Sequence, residues 1–171
     1  VVMWSWCGQL SYPDDYSVDY VAKMSSLEAE FPNIVFVYMT GHLDGTRSTG
    51  NLHLRNEYIR QHVIDTGGVL FDFADIERFD PDGIDYLGLR AGIEDGDGCR
   101  YENSGNWCAE WCSANECPSC TGCSHLHCLN CYLKGKAFWY MMARLAGWDG
   151  VSQEAAVCGD GVCEAGEDTY N

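Results

Sequence analysis

Between Cys117 and Cys131 the chain reads Cys-Pro-Ser-Cys-Thr-Gly-Cys-Ser-His-Leu-His-Cys-Leu-Asn-Cys, five cysteines with two imidazoles among them. Three chemistries compete for such a run. Thiolates in the C-x-x-C spacings Cys117/Cys120, Cys120/Cys123 and Cys128/Cys131 would suit zinc. Haem attachment needs a histidine directly after the second cysteine of C-x-x-C, and Ser124 and Tyr132 stand in those places, which excludes it. Disulfides suit a chain that uses cysteines to staple a long loop. A histidine held in a stapled loop just before a helix has little conformational freedom left to lose on reaching its working geometry, which suits a general base. His125 is the candidate.

Three further groups stand where apolar runs end. Ser5-Trp-Cys-Gly-Gln9 follows Val1–Trp4, and ligands of parallel α/β sheets gather outside the carboxyl ends of strands. The Gly8 amide and Gln9 are therefore candidate oxyanion donors, the alternative being a turn that simply needs glycine. Tyr38-Met-Thr-Gly-His42 ends a second run and puts His42 on the same rim as a substrate contact, or as a surface histidine. Asp72 and Asp75 end a third, where a carboxylate orients a histidine, closes a loop or caps the following turn.

The elements that must position these residues follow from periodicity. Val1–Trp6 reads as a buried strand, and Ser17 as the cap of a helix in which Val18, Val21, Ala22, Met24, Leu27 and Phe31 recur at helical spacing until Pro32. Residues 34–39 are β-branched and aromatic on both faces, as in a strand covered on two sides. Leu52, Leu54, Tyr58, Ile59 and Val63 mark a second helix closed by Gly67-Gly68, and 69–73 a third strand. This alternation predicts an α/β fold with parallel pairing and helices on both faces of the sheet. Residues 80–115 read as an irregular excursion tied down by Cys99, Cys108 and Cys112, and 133–145 as a last helix with a broad apolar face. An α/β domain over 1–150 and an acidic cysteine-containing tail or linker over 151–171 are expected.

Composition narrows the setting. Ten Lys+Arg against 26 Asp+Glu give a net charge of −16, a field that repels phosphate backbones and anionic lipid, so neither nucleic acid nor a membrane surface is an expected partner. Eleven cysteines in 171 residues point to an oxidising, extracellular location. The chain opens on Val1-Val2-Met3-Trp4 with no visible signal peptide, as expected of a processed chain or a fragment. Eleven is odd, so at least one thiol is expected to stay free, to pair with a region outside this sequence or to link two molecules, and Cys7, alone on the first strand, is the candidate for a buried free thiol.

Taken in order, Ser5-Trp-Cys-Gly-Gln9, Tyr38-Met-Thr-Gly-His42, Asn51-Leu with Arg55-Asn56 and Ile59-Arg60, Phe71-Asp-Phe-Ala-Asp-Ile-Glu77, and Cys123-Ser-His125 with Leu129-Asn130 and Lys134 through Trp148 resemble a bacterial secreted branch of the SGNH/GDSL-type hydrolases. The resemblance covers about residues 1–150. It implies a flavodoxin-like three-layer sandwich lacking its first strand, and a Ser-His pair assisted by Asp. It also implies ester substrates, including acetyl esters of carbohydrates. His125 would match the catalytic histidine and the Ser5–Gln9 turn the oxyanion block. The family's nucleophilic serine lies on a strand preceding all of these motifs, and the usual Asp three residues before the histidine is Gly122 here. The rival from another class is a non-catalytic extracellular surface or filament subunit that retains the scaffold and self-associates. The tail resembles a short acidic Cys-Gly-Asp-Gly module of secreted microbial proteins, in which Asp160, Glu164, Glu167 and Asp168 offer oxygen ligands to Ca²⁺, the alternative being an acidic turn pinned by Cys158 and Cys163. No other cofactor is expected.

Overall fold

Asp15, two residues before the expected cap, starts the first long helix. Its Oδ1 accepts from Ser17 N at 2.9 Å and from Ser17 Oγ at 2.5 Å, and α1 runs Tyr16–Glu30. Ser17 already lies inside the first turn, so it supplies an orphan amide and does not satisfy one. In the computed structural model the described residues are 1–4, 6, 8–93, 98–123 and 126–150.

Three short parallel strands, β1 Val2–Met3, β2 Phe36–Met39 and β3 Val69–Phe71, form a sheet in the order β1-β2-β3, with Val2 opposite Phe36 and Met39 opposite Phe71. Between β2 and β3 lies α2, Asn51–Thr66, which ends where the amides of left-handed Gly67 and of Gly68 both return to Val63 O. The mixed α/β class and the parallel pairing are those expected. The strands are shorter than the apolar runs. Ile34 and Val35 precede the ladder at 40% and 38% exposure, and Asp72 cuts β3 short by capping α3, Phe73–Arg78, with its Oδ1 accepting from Asp75 N at 3.1 Å.

All four residues of β2 are buried. Leu10, Tyr20, Val21, Met24, Phe36, Tyr38, Leu52, Ile59 and Val63 close one hydrophobic core from α1, α2 and the sheet. Tyr20 accepts the Met39 amide at 3.0 Å, and burial pushes its phenol up to about 12.

The excursion is more ordered than its composition suggests. A two-stranded antiparallel pair, β4 Arg100–Tyr101 and β5 Gly105–Asn106, leads into α4, Trp107–Ala114, capped by Asn106 Oδ1 accepting from Ala109 N. Fully buried Trp107 centres a second core with Leu43, Ala74, Tyr86, Leu87, Ala91 and Leu129. Bridges Cys99–Cys108, Cys112–Cys117, Cys120–Cys128 and Cys123–Cys131 staple this region, the last two ending on the first turn of α5, Cys128–Leu145. That helix begins five residues earlier than its apolar face indicates, because Cys128–Tyr132 is held by the bridges and not by burial alone.

The chain divides into two compact units, Val1–Phe138 and Trp139–Asn171. In the second, Tyr140 and Trp148 meet edge to face at 5.6 Å and Arg144 Nη1 donates to Trp148 O at 3.0 Å. Residues 151–171, with the expected tail and its Ca²⁺ ligands Asp160, Glu164, Glu167 and Asp168, lie outside the described residues. No described helix is long and apolar enough to cross a membrane.

Candidate functional site

The loops that leave β1 and β2 meet at the carboxyl edge of the sheet. Trp6 Nε1 donates to Met39 O at 2.9 Å, and Ser11 Oγ to Asp44 Oδ2 at 2.6 Å, so each loop is tied to the other. Gly8 takes φ 70°, ψ −11°, a left-handed turn that a side chain resists, and opens the short 3-10 turn Gln9–Ser11. Behind that turn the buried guanidinium of Arg55 donates to the carbonyls of Leu10, Tyr12 and Pro13 at 2.6, 2.5 and 3.0 Å and pairs with Asp15 at 3.3 Å. One planar fork thereby fixes the Leu10–Pro13 stretch on α2.

His42 follows β2 and is partly exposed, while its two neighbours are clamped by buried side chains. On one side fully buried Asn56 reads both backbone groups of Gly41, Oδ1 accepting the amide at 2.8 Å and Nδ2 donating to the carbonyl at 3.2 Å. On the other, Glu77 Oε2 accepts the Leu43 amide at 2.7 Å. The imidazole itself places Nδ1 2.8 Å from Leu43 O.

Glu77 is fully buried, and its Oε1 pairs with Lys134 Nζ of α5 at 2.6 Å. The same ammonium sits 3.7 Å from the centroid of the Phe73 ring. Burial pushes the Glu77 carboxyl up, against Lys134, the Leu43 amide and the charge of His42, which favour its ionised form. Trp107 Nε1 donates to the Glu77 carbonyl at 3.2 Å, and a Cβ on Gly98 would collide with Glu77 Cγ, so the excursion packs directly on this side chain. One turn before Lys134, buried Asn130 donates to Ile76 O at 3.2 Å.

Asp72 closes the third loop. Its carboxylate accepts from Thr40 Oγ1 at 2.9 Å and from Arg60 Nε and Nη2 at 2.6 and 2.7 Å. Among the described residues it meets no histidine, so capping and loop closure describe it. For Asp75, burial first and the Asp72 charge second push the carboxyl up.

Gly8 and Gln9 thus lie on one, and His42 on the other, of two loops tied together at the carboxyl edge of the sheet. Cys7 and His125 lie outside the described residues. Every cysteine from Cys117 to Cys131 is in a disulfide, so zinc thiolates are replaced by staples there, and no metal-binding cluster occurs among the described residues. Asn56, Glu77 and Lys134 escaped sequence reasoning as site residues. A polar residue on a helix looks like a solvated one, and the contacts that bury these three span 15, 34 and 57 residues. Comparison with protein-family models, with curated proteins and with solved structures returns no match.

Proposed function

We propose that the chain is an extracellular SGNH-like serine hydrolase domain acting on esters, including acetyl esters of carbohydrates. In this reading the fold completes a flavodoxin-like three-layer sandwich, His125 is the general base, and the Gly8 amide with Gln9 steadies the oxyanion. His42 contacts the substrate. One observation carries the reading: the β1 and β2 loops are locked together at the carboxyl edge of a parallel sheet, where α/β enzymes gather substrate, with Gly8 in a tight turn and His42 between two clamped residues. Four bridges support export, and Asp160, Glu164, Glu167 and Asp168 are the proposed Ca²⁺ ligands of the tail. The net charge of −16 favours a neutral partner, a small ester or a carbohydrate, over nucleic acid or anionic lipid.

The second reading, a non-catalytic extracellular scaffold that self-associates, is favoured by the hydroxyls. Ser11 Oγ is engaged by Asp44, and the Ser-His approach seen among the described residues, Ser25 Oγ to His62 Nε2 at 3.3 Å, joins α1 to α2 away from the strand-end loops. Incubation with p-nitrophenyl acetate and with a fluorophosphonate probe separates the two. In a sample that includes the preceding strand on which the family carries its nucleophile, turnover together with covalent labelling of that serine is the expected result, and a folded sample of that kind that shows neither removes catalysis.

A further inference from the structure

Isolated histidines on loops choose between two neutral tautomers, and the choice decides whether the outward nitrogen gives or takes a hydrogen bond. For His42 the backbone makes the choice. A carbonyl oxygen can only accept, so the 2.8 Å contact between Nδ1 and Leu43 O requires the hydrogen to be on Nδ1. In the neutral ring Nε2 then carries the lone pair, and it has no hydrogen-bond partner among the described residues. The carbonyl that makes the choice is itself immobile, since its own residue donates to the buried carboxylate of Glu77 and the residue before His42 is held at both backbone groups by Asn56.

Burying an ionised carboxylate with an ammonium is costly, and apolar residues of similar shape would fill the same space without that penalty. A neutral replacement would forfeit a charge-assisted bond to the Leu43 amide, the strong form of such a contact. The buried pair thus makes sense as a device for fixing one amide, and that amide follows His42.

We propose that His42 is a specificity residue whose Nε2 accepts a hydrogen bond from a free hydroxyl of the alcohol part of the ester, with Asn56 and Glu77 as its positioning residues. The role in catalysis rests on the ester-hydrolase reading above; the tautomer and the hydroxyl contact do not. The substrate class is accordingly a polyol or sugar ester with a hydroxyl near the scissile bond.

Three measurements test this. Nitrogen-15 NMR of the wild-type protein should show a protonated Nδ1 and an unprotonated Nε2 on the neutral His42 ring; the opposite tautomer overturns the proposal. The Leu43 amide lies outside every strand and helix, yet it should exchange with solvent at a rate like that of the β2 amides; exchange at the rate of an open loop overturns the positioning role of Glu77. His42→Ala should lower kcat/KM for a monoacetylated sugar relative to p-nitrophenyl acetate by about tenfold, the loss falling on KM more than on kcat. Asn56→Asp, which keeps the acceptor for the Gly41 amide and loses the donor to its carbonyl, should move that ratio in the same direction by less. An unchanged ratio in His42→Ala overturns the assignment. If the wild type hydrolyses neither ester, the hydrolase reading falls by itself. The hydroxyl contact is then decided by titrating a methyl glycoside against the His42 ring resonances, movement supporting it and stillness overturning it.

Discussion

Two halves of the first unit hold themselves together by different means. From Gly8 to Ile93 there is no cysteine, and the layer built from α1, β2, α2 and β3 rests on one apolar core and on forks such as Arg55 on the Leu10–Pro13 carbonyls and Arg60 on Asp72. From Cys99 to Cys131 eight cysteines form four bridges around short elements and a core centred on one tryptophan. Long helices bury enough apolar surface to offset the ordering of their backbone, whereas two-residue strands and an eight-residue helix do not, and covalent closure limits the freedom of the unfolded chain instead. The difference teaches where the molecule depends on its environment: the helical layer on water, the excursion on redox state.

The sharpest way to break that comparison is reduction. Each bridge closes a short loop worth roughly 2–3 kcal/mol, so treatment with dithiothreitol should strip hydrogen-exchange protection from 99–131 while amides of β2 and α2 persist. Simultaneous loss in both halves would show a single cooperative unit and remove the distinction. Next in size is Glu77→Ala. It removes the Glu77 carboxylate from the buried Lys134 ammonium and frees the Leu43 amide, for an expected loss of about 3–5 kcal/mol by urea unfolding. Glu77→Gln combined with Lys134→Met should recover a large part of it, since both members of this buried pair are then neutral. If Glu77→Ala unfolds with the wild-type midpoint, the joint between the halves lies elsewhere.

The layer was readable because its signals are local. Apolar spacing over 18–31 and 52–63 and the glycine pair at 67–68 each act within a few residues, and they located α1 and α2 to within a turn. The cap of α1 was misplaced by two residues because Asp15 and Ser17 are both good caps, and backbone angles decide between them. α4 was missed although Trp107/Trp111 and Cys108/Cys112 stand at helical spacing after a capping asparagine. The surrounding Gly, Asp and Asn residues masked a period only two turns long. For the candidate site, strand ends pointed to Gly8 and His42, but the clamps on His42 come from α2 and α3 through contacts that no local pattern encodes.

The smallest expected effect concerns the noncovalent tie between the halves. Arg78, at the end of α3, forks onto Asp85 at the start of the excursion, and that hydrogen bond holds the Asp85 carboxyl below its usual range despite some burial. A carboxyl whose folded pKa is depressed adds stability above its unfolded value, near 3.9, and loses it as the pH falls through the folded one. Asp85→Asn should therefore cost a fraction of a unit of urea midpoint at neutral pH, and the gap to wild type should close as the pH drops below about 4. The pair is partly exposed, which keeps the effect small. A gap that stays constant down to acid would show that Asp85 contributes through shape and not charge.

Bridge partners are separated by 9, 5, 8 and 8 residues, and the first two loops close before the crossed pair begins. The eight bridged cysteines allow on the order of a hundred connectivities among themselves, yet each of these eight finds its mate within a short tether. Oxidation can proceed in the order in which the polypeptide emerges, each link made from what has just been synthesised. A chain oxidised in this order has little need of an isomerase to undo long-range mispairing.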